Sequence, residues 1–187
     1  MSLRDRTRQI KIEIIGVELL EDYDLALYPL SVKEFADRLG IHLSPYHFLT
    51  EEARRLAPLA SRDAFAAYDS SFTSCHVAYD GGAYRQRSRF SCFHEIGHIV
   101  LEHDPKDPMK EDEADYFAGY LLTPHPLVRA CKTPQEVERR FGVSGNCAGF
   151  AWDQMQRRWA EQAPLRPHEK WLLKNVAWRG GDPIDCA

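Results

Sequence analysis

The sequence has no long uninterrupted apolar run: nothing in its 187 residues approaches the roughly 20 apolar residues that a membrane-spanning helix needs. Its start, Met-Ser-Leu-Arg-Asp-Arg-Thr-Arg-Gln, also lacks the apolar core of a secretion signal, so a cytoplasmic location is expected. An excess of positive charge is missing too. A net charge of −4 argues against a broad surface for nucleic acid or membrane. The five cysteines are odd in number and scattered, with no C-x-x-C pair, so they are read as thiols in a reducing compartment. What remains is 44% hydrophobic and 28% charged, the make-up of an ordinary soluble globular protein. The length suits one domain, or one domain with a small appendage.

The informative stretch is Arg89 to Asp104, which contains His94-Glu95-Ile96-Gly97-His98, a match to H-E-x-x-H. On a helix, residues i and i+4 lie one above the other, so His94 and His98 can share one divalent metal. Glu95 is rotated by about 100° from His94. Its carboxylate can therefore reach a water on the open side of the metal and act as general base. Phe90, Phe93, Ile96, Gly97, Val100 and Leu101 recur at three- and four-residue steps, as a helix with one buried flank requires. Asp104-Pro105 is expected to end that helix. Cys92, two residues before His94, does not share its face and is read as packing.

Along the chain, helices are expected over Ile10 to Asp22, with Ile14, Val17 and Leu20 inward, and over Ser31 to Leu39, with Gly40 behind it. Ile41 to Phe48 reads as extended and broken at Pro45, and Glu51 to Ala60 as a helical turn. Cys75 to Tyr79, Asp80-Gly81-Gly82 and Ala83-Tyr84 read as a β-hairpin. A strand beside the metal helix could hold a peptide by main-chain hydrogen bonds. Arg85, Arg87 and Arg89 read as a solvated basic face.

A second helix is expected from Met109 to Thr123, with Asp107-Pro108 as its start and Pro124 as its stop. Two histidines need a third protein ligand, and a carboxylate from such a helix is one solution. Glu111 and Asp115 are i and i+4. If Glu111 binds the metal, Asp115 can accept the free ring N–H of a ligand histidine. Glu113, rotated by about 200° from Glu111, is the alternative ligand.

These stretches resemble the ImmA/IrrE-type zinc metallopeptidases. The resemblance rests on Arg89-Phe90-Ser91-Cys92-Phe93-His94-Glu95-Ile96-Gly97-His98 and on Glu111, Asp115, Ala118 and Leu121-Leu122-Thr123-Pro124. Pro29 to Ile41 and Val137 to Ser144 add weaker likeness. The chain departs from the family pattern at Cys92-Phe93, where a small or aliphatic pair is usual, and in its short inter-motif loop. Glu51 to Ser71 matches nothing in the family. The resemblance implies an α+β, gluzincin-like fold: a short mixed sheet, the H-E-x-x-H helix and a second helix bearing the glutamate. It implies zinc on His94, His98 and Glu111, with Glu95 as base. It also implies a protein substrate, typically a helix-turn-helix repressor.

Beyond a metallopeptidase domain expected over residues 1–130, residues 131–187 read as a helical extension. Gln135 to Phe141, Gly142-Val143-Ser144 and Asn146 to Trp159 have a helix-turn-helix outline. The second helix opens with Asn146, Cys147, Ala148, Gly149 and Phe150, too few cations and amides for base readout. The unit is read as packing or partner recognition. Tyr84 and Tyr116 are both candidates to stabilise an oxyanion. Two functions follow: a zinc endopeptidase, or a metal-containing module that grips a transcription factor without efficient cleavage. The intact Glu95 favours the enzyme.

Overall fold

The computed structural model describes residues 5–68, 74–103 and 109–179. It is a mixed α+β structure, mostly helical with a small sheet. In chain order the elements are α1 (Arg6–Asp22), β1 (Leu27–Tyr28), α2 (Val32–Arg38), β2 (Ile41–Pro45), α3 (Glu51–Ala60), β3 (Ala64–Tyr68) and β4 (Cys75–Tyr79). There follow α4 (Arg85–Val100), α5 (Met109–Leu122), α6 (His125–Val128), α7 (Pro134–Phe141), α8 (Gly145–Ala160), α9 (Pro167–Asn175) and β5 (Ala177–Trp178). The chain forms two compact units. One comprises residues 32–118; the other joins residues 4–31 to residues 119–187.

In the first unit, β4 is the central strand of a three-stranded sheet, parallel to β2 and antiparallel to β3. The expected hairpin does not form. Its first strand is β4, but Ala83-Tyr84 leads straight into α4, and the antiparallel partner of β4 is β3 instead. The turn is held locally, by Gly82 N–H donating to Asp80 Oδ1 and Asp80 N–H donating to the Asp63 carbonyl. β3 reads Ala-Phe-Ala-Ala-Tyr, without the β-branched alternation that marks a strand, and only pairing with β4 makes it one. Phe35 and Phe93 meet edge to face at 5.2 Å, and with Ile96, Phe117 and Val77 they are buried in this unit's core.

Helix α4 begins five residues before Phe90, so the three arginines lie on its first turns rather than ahead of it. It also ends before Asp104-Pro105. Leu101 caps it, Glu102 adopts a left-handed conformation (φ 51°), and His103 N–H donates to the His98 carbonyl. That six-to-one hydrogen bond closes a helix without help from proline. The Asp107-Pro108 start proposed for α5 lies outside the described residues, as do the Gly180-Gly181-Asp182-Pro183 tail and Cys186.

In the second unit, α1 buries Ile12, Glu13, Gly16, Val17 and Leu20, while Ile14, expected inward, is exposed. The shift of face has a cause in Glu13. Its carboxylate is fully buried and paired with Arg6, His168 and His125. Those partners tie α1 to α6 and α9. Tyr28, Phe141 and Trp178 pack ring on ring nearby. Gly142 closes α7 in the left-handed conformation, and Ser144 caps α8. Among the described residues, no helix is long and apolar enough to cross a membrane.

Candidate metal centre

The one-turn spacing of the histidines is realised on α4. His94 Nε2 and His98 Nε2 lie 3.0 Å apart. Helix α5 supplies the carboxylates. Glu111 Oε2 is 3.3 Å from His94 Nε2, and Glu111 Oε1 is 3.4 Å from His98 Nε2. Asp115, one turn on, places Oδ1 2.8 Å from His94 Nδ1. A carboxylate there can only accept, so that nitrogen carries the proton and Nε2 presents its lone pair.

The helices come this close because of Gly97. A Cβ added there would sit 3.0 Å from Phe117 Cδ1 and 3.3 Å from the Ala114 Cα. Glycine thus removes the side chain that would hold α4 and α5 apart, and Glu111 can reach across.

The donor set can be tested against an ion. With metal–nitrogen bonds near 2.0–2.1 Å, tetrahedral ligands sit about 3.3 Å from one another. The Nε2–Nε2 separation of 3.0 Å, and the 3.3 and 3.4 Å from one ring to each Glu111 oxygen, are close to that edge length. Two imidazole nitrogens and a carboxylate converging in this way can hold a cation. Zinc suits such a mixed set.

Glu95 points to the edge of the sheet. Its Oε2 accepts the Ala66 N–H of β3 at 2.9 Å. Burial raises the Glu95 pKa, against the opposing effects of His94 and the Ala66 N–H. Burial also acts on the histidines. It would lower the His94 pKa, but Asp115, aided by Glu95 and Glu111, outweighs it and the net shift is upward. The His98 pKa is lowered, first by burial and then by His94.

A cavity of about 360 Å³ opens over these groups, lined among others by His94, Glu95, Glu111, Asp115, Asp63 and Arg87. Arg87 grips Asp63 through two hydrogen bonds, at 2.7 and 2.9 Å, and so ties α4 to the start of β3. Tyr84 and Tyr116 are not among the lining residues: Tyr84 is largely exposed and Tyr116 buried. Tyr46 is close enough for Glu95 to act on it. Burial, then Glu95, pushes its phenol up to about 12, and its hydroxyl donates to the Ser61 carbonyl.

Glu113 faces away from the two Nε2 atoms. Its Oε2 lies 3.2 Å from His103 Nε2, and His103 Nδ1 lies 3.0 Å from His98 Nδ1. Sequence reasoning passed over His103 because it is five residues from His98, a spacing that does not share a helical face. The left-handed Glu102 brings it back.

No curated protein matches the chain. Residues 77–152 match the family model described as the IrrE N-terminal-like domain, that of a peptidase family. The match spans His94, Glu95, His98 and Glu111, and it supports the likeness of this part of the chain to the ImmA/IrrE-type family.

Proposed function

We propose that the protein is a zinc-dependent endopeptidase of the gluzincin type, acting in the cytoplasm on a protein substrate. By family resemblance that substrate is a helix-turn-helix regulator. The observation that carries the reading is the convergence of His94 Nε2, His98 Nε2 and the Glu111 carboxylate, with Glu95 beside them. These three side chains would hold the ion, and Asp115 would keep the His94 ring turned toward it. Bound there, zinc supplies a Lewis acid that polarises a peptide carbonyl and lowers the pKa of water.

The rest is done by the chain itself. Glu95 takes the proton of the attacking water and delivers it to the leaving nitrogen. The Ala66 N–H holds one oxygen of that carboxylate, which leaves the other to receive the proton. β3 is an edge strand. Alternate residues of an antiparallel strand turn their main-chain groups away from the partner; the N–H groups of Ala64 and Ala66 are taken by Ser61 Oγ and Glu95, so their carbonyls are what this side can offer a peptide. An extended peptide can pair there without any particular side chain. The α7–α8 pair is read as a helix-turn-helix-like unit for packing or protein recognition.

The test is elemental analysis of purified wild type, His98→Ala, Glu111→Ala and Glu113→Ala. It is read beside cleavage of a peptide library and of the helix-turn-helix regulator encoded nearest the gene. One zinc per chain, lost with His98→Ala and Glu111→Ala, together with cleavage by the wild type, is the expected result. Wild type that stays metal-free in zinc-replete medium would end the peptidase reading. Zinc bound without any cleavage would leave a binding module.

A further inference from the structure

We propose that His103 and Glu113 form a buried positioning pair that sets which nitrogen of His98 faces the metal centre. This rests on the ligand reading of His98. An ionised Glu113 carboxylate can only accept a hydrogen bond. His103 Nε2, 3.2 Å away, must then carry a proton. In the neutral form of His103, Nδ1 is unprotonated on its other side. That atom lies 3.0 Å from His98 Nδ1, so in this form the proton between them belongs to His98. His98 is thereby held as the Nδ1–H tautomer, with the Nε2 lone pair directed at His94 Nε2 and Glu111.

The arrangement parallels the single step from Asp115 to His94, but it is one residue longer and deeper. The side chains of His103 and Glu113 are 1% and 5% exposed, against 45% for Asp115. Lys110 Nζ lies 3.9 Å from Glu113 Oε2 and offsets its charge. The backbone is bent to make the relay possible. Glu102 occupies a left-handed conformation that is unfavourable for a non-glycine residue, and that bend returns His103 beneath His98. Outer partners of metal-binding histidines fix ring orientation and raise ligand basicity, and their loss weakens metal binding by about 10–100-fold.

The experiment measures zinc affinity of the full chain by competition with a chromogenic chelator, in wild type and in His98→Ala, His103→Leu, His103→Gln, Glu113→Gln and Glu111→Gln. Circular dichroism confirms folding, and nitrogen-15 NMR of the histidine rings reads the His98 tautomer. We expect His103→Leu to weaken zinc binding about 10–100-fold and to mix the His98 tautomers. The Gln carbonyl of His103→Gln can still accept from His98 Nδ1–H and should restore most of the affinity. Glu113→Gln should weaken binding less than His103→Leu. Wild-type affinity in folded His103→Leu and Glu113→Gln, or an unprotonated Nδ1 on His98 in the zinc-loaded wild type, overturns the proposal. So does abolished binding in Glu113→Gln with none lost in Glu111→Gln, which would make Glu113 a ligand. If His98→Ala retains wild-type affinity, or wild type binds no zinc, the ligand reading itself has failed.

Discussion

Cys92 lies on the motif helix, fully buried, and burial together with the Glu95 charge pushes its thiol up to about 12. Cys131 is buried as well, and its thiol is raised to about 11. A thiol reacts through its thiolate, so both should resist iodoacetamide in the native protein near pH 8. Partly exposed Cys75 and Cys147 should label first, and mass spectrometry of the peptides would show the order. Denaturant should abolish the difference. Glu95 makes the complementary prediction. In Glu95→Gln the zinc content should be unchanged while cleavage falls by about 10²–10⁴-fold, the range for a lost general base. Undiminished cleavage in a metal-replete Glu95→Gln would remove Glu95 from that role. At this scale His94, Glu95 and His98 were legible because helical spacing alone aligns them. His103 was not, since a single left-handed residue outside the helical period determines where it points.

Helices α4 and α5 meet where Gly97 leaves room, and that closeness carries Glu111 to the histidines. Gly97→Ala would force a Cβ against the Ala114 backbone and the Phe117 ring. Overpacking of this kind costs about 1–3 kcal/mol. Chemical denaturation should show that loss, and zinc affinity should fall in the folded fraction because the carboxylate is pushed back. A variant as stable and as tight-binding as wild type would mean the helices part freely. At the end of α4 the prediction has the opposite sign. Glu102→Gly relieves a left-handed glutamate and should stabilise the protein by about 1–2 kcal/mol, with the His98–His103 contact kept. Elements whose pattern repeats within one segment, such as α2 and α5, were readable from sequence. β3 was not: its alanine-rich stretch becomes a strand only through β4, a partner more than one turn of chain away.

Each compact unit has its own buried polar arrangement, and in the second it is an ion network. Arg158 binds both oxygens of Glu169, at 2.6 and 2.7 Å, with both side chains almost wholly buried. Arg158→Ala would leave Glu169 buried without this partner, a change that costs about 3–5 kcal/mol, readable as a lower denaturation midpoint. Burial alone would raise the Glu169 pKa. The Arg158 hydrogen bond, the Arg166 N–H and the two arginine charges together hold it below its ordinary 4.5. A depressed carboxylate stabilises the fold fully above the unfolded value and loses that contribution as pH falls through the folded one. The stability advantage of wild type over Glu169→Gln should therefore be steady near pH 6 and shrink below pH 4.5. An advantage that grew on acidification would contradict this sign.

What the amino-acid sequence determined by itself is the chemistry available: two imidazoles and a carboxylate on one helix, and acidic residues on the next. These follow from a period of 3.6 residues, a local property of the backbone. Tertiary structure alone decided which carboxylate reaches the two Nε2 atoms, which strand pairs beside Glu95 and which histidine stands behind His98. Each of those depends on contacts between segments far apart in the chain, and such contacts are set by packing at places like Gly97 and by buried charges like Glu13 that must find partners.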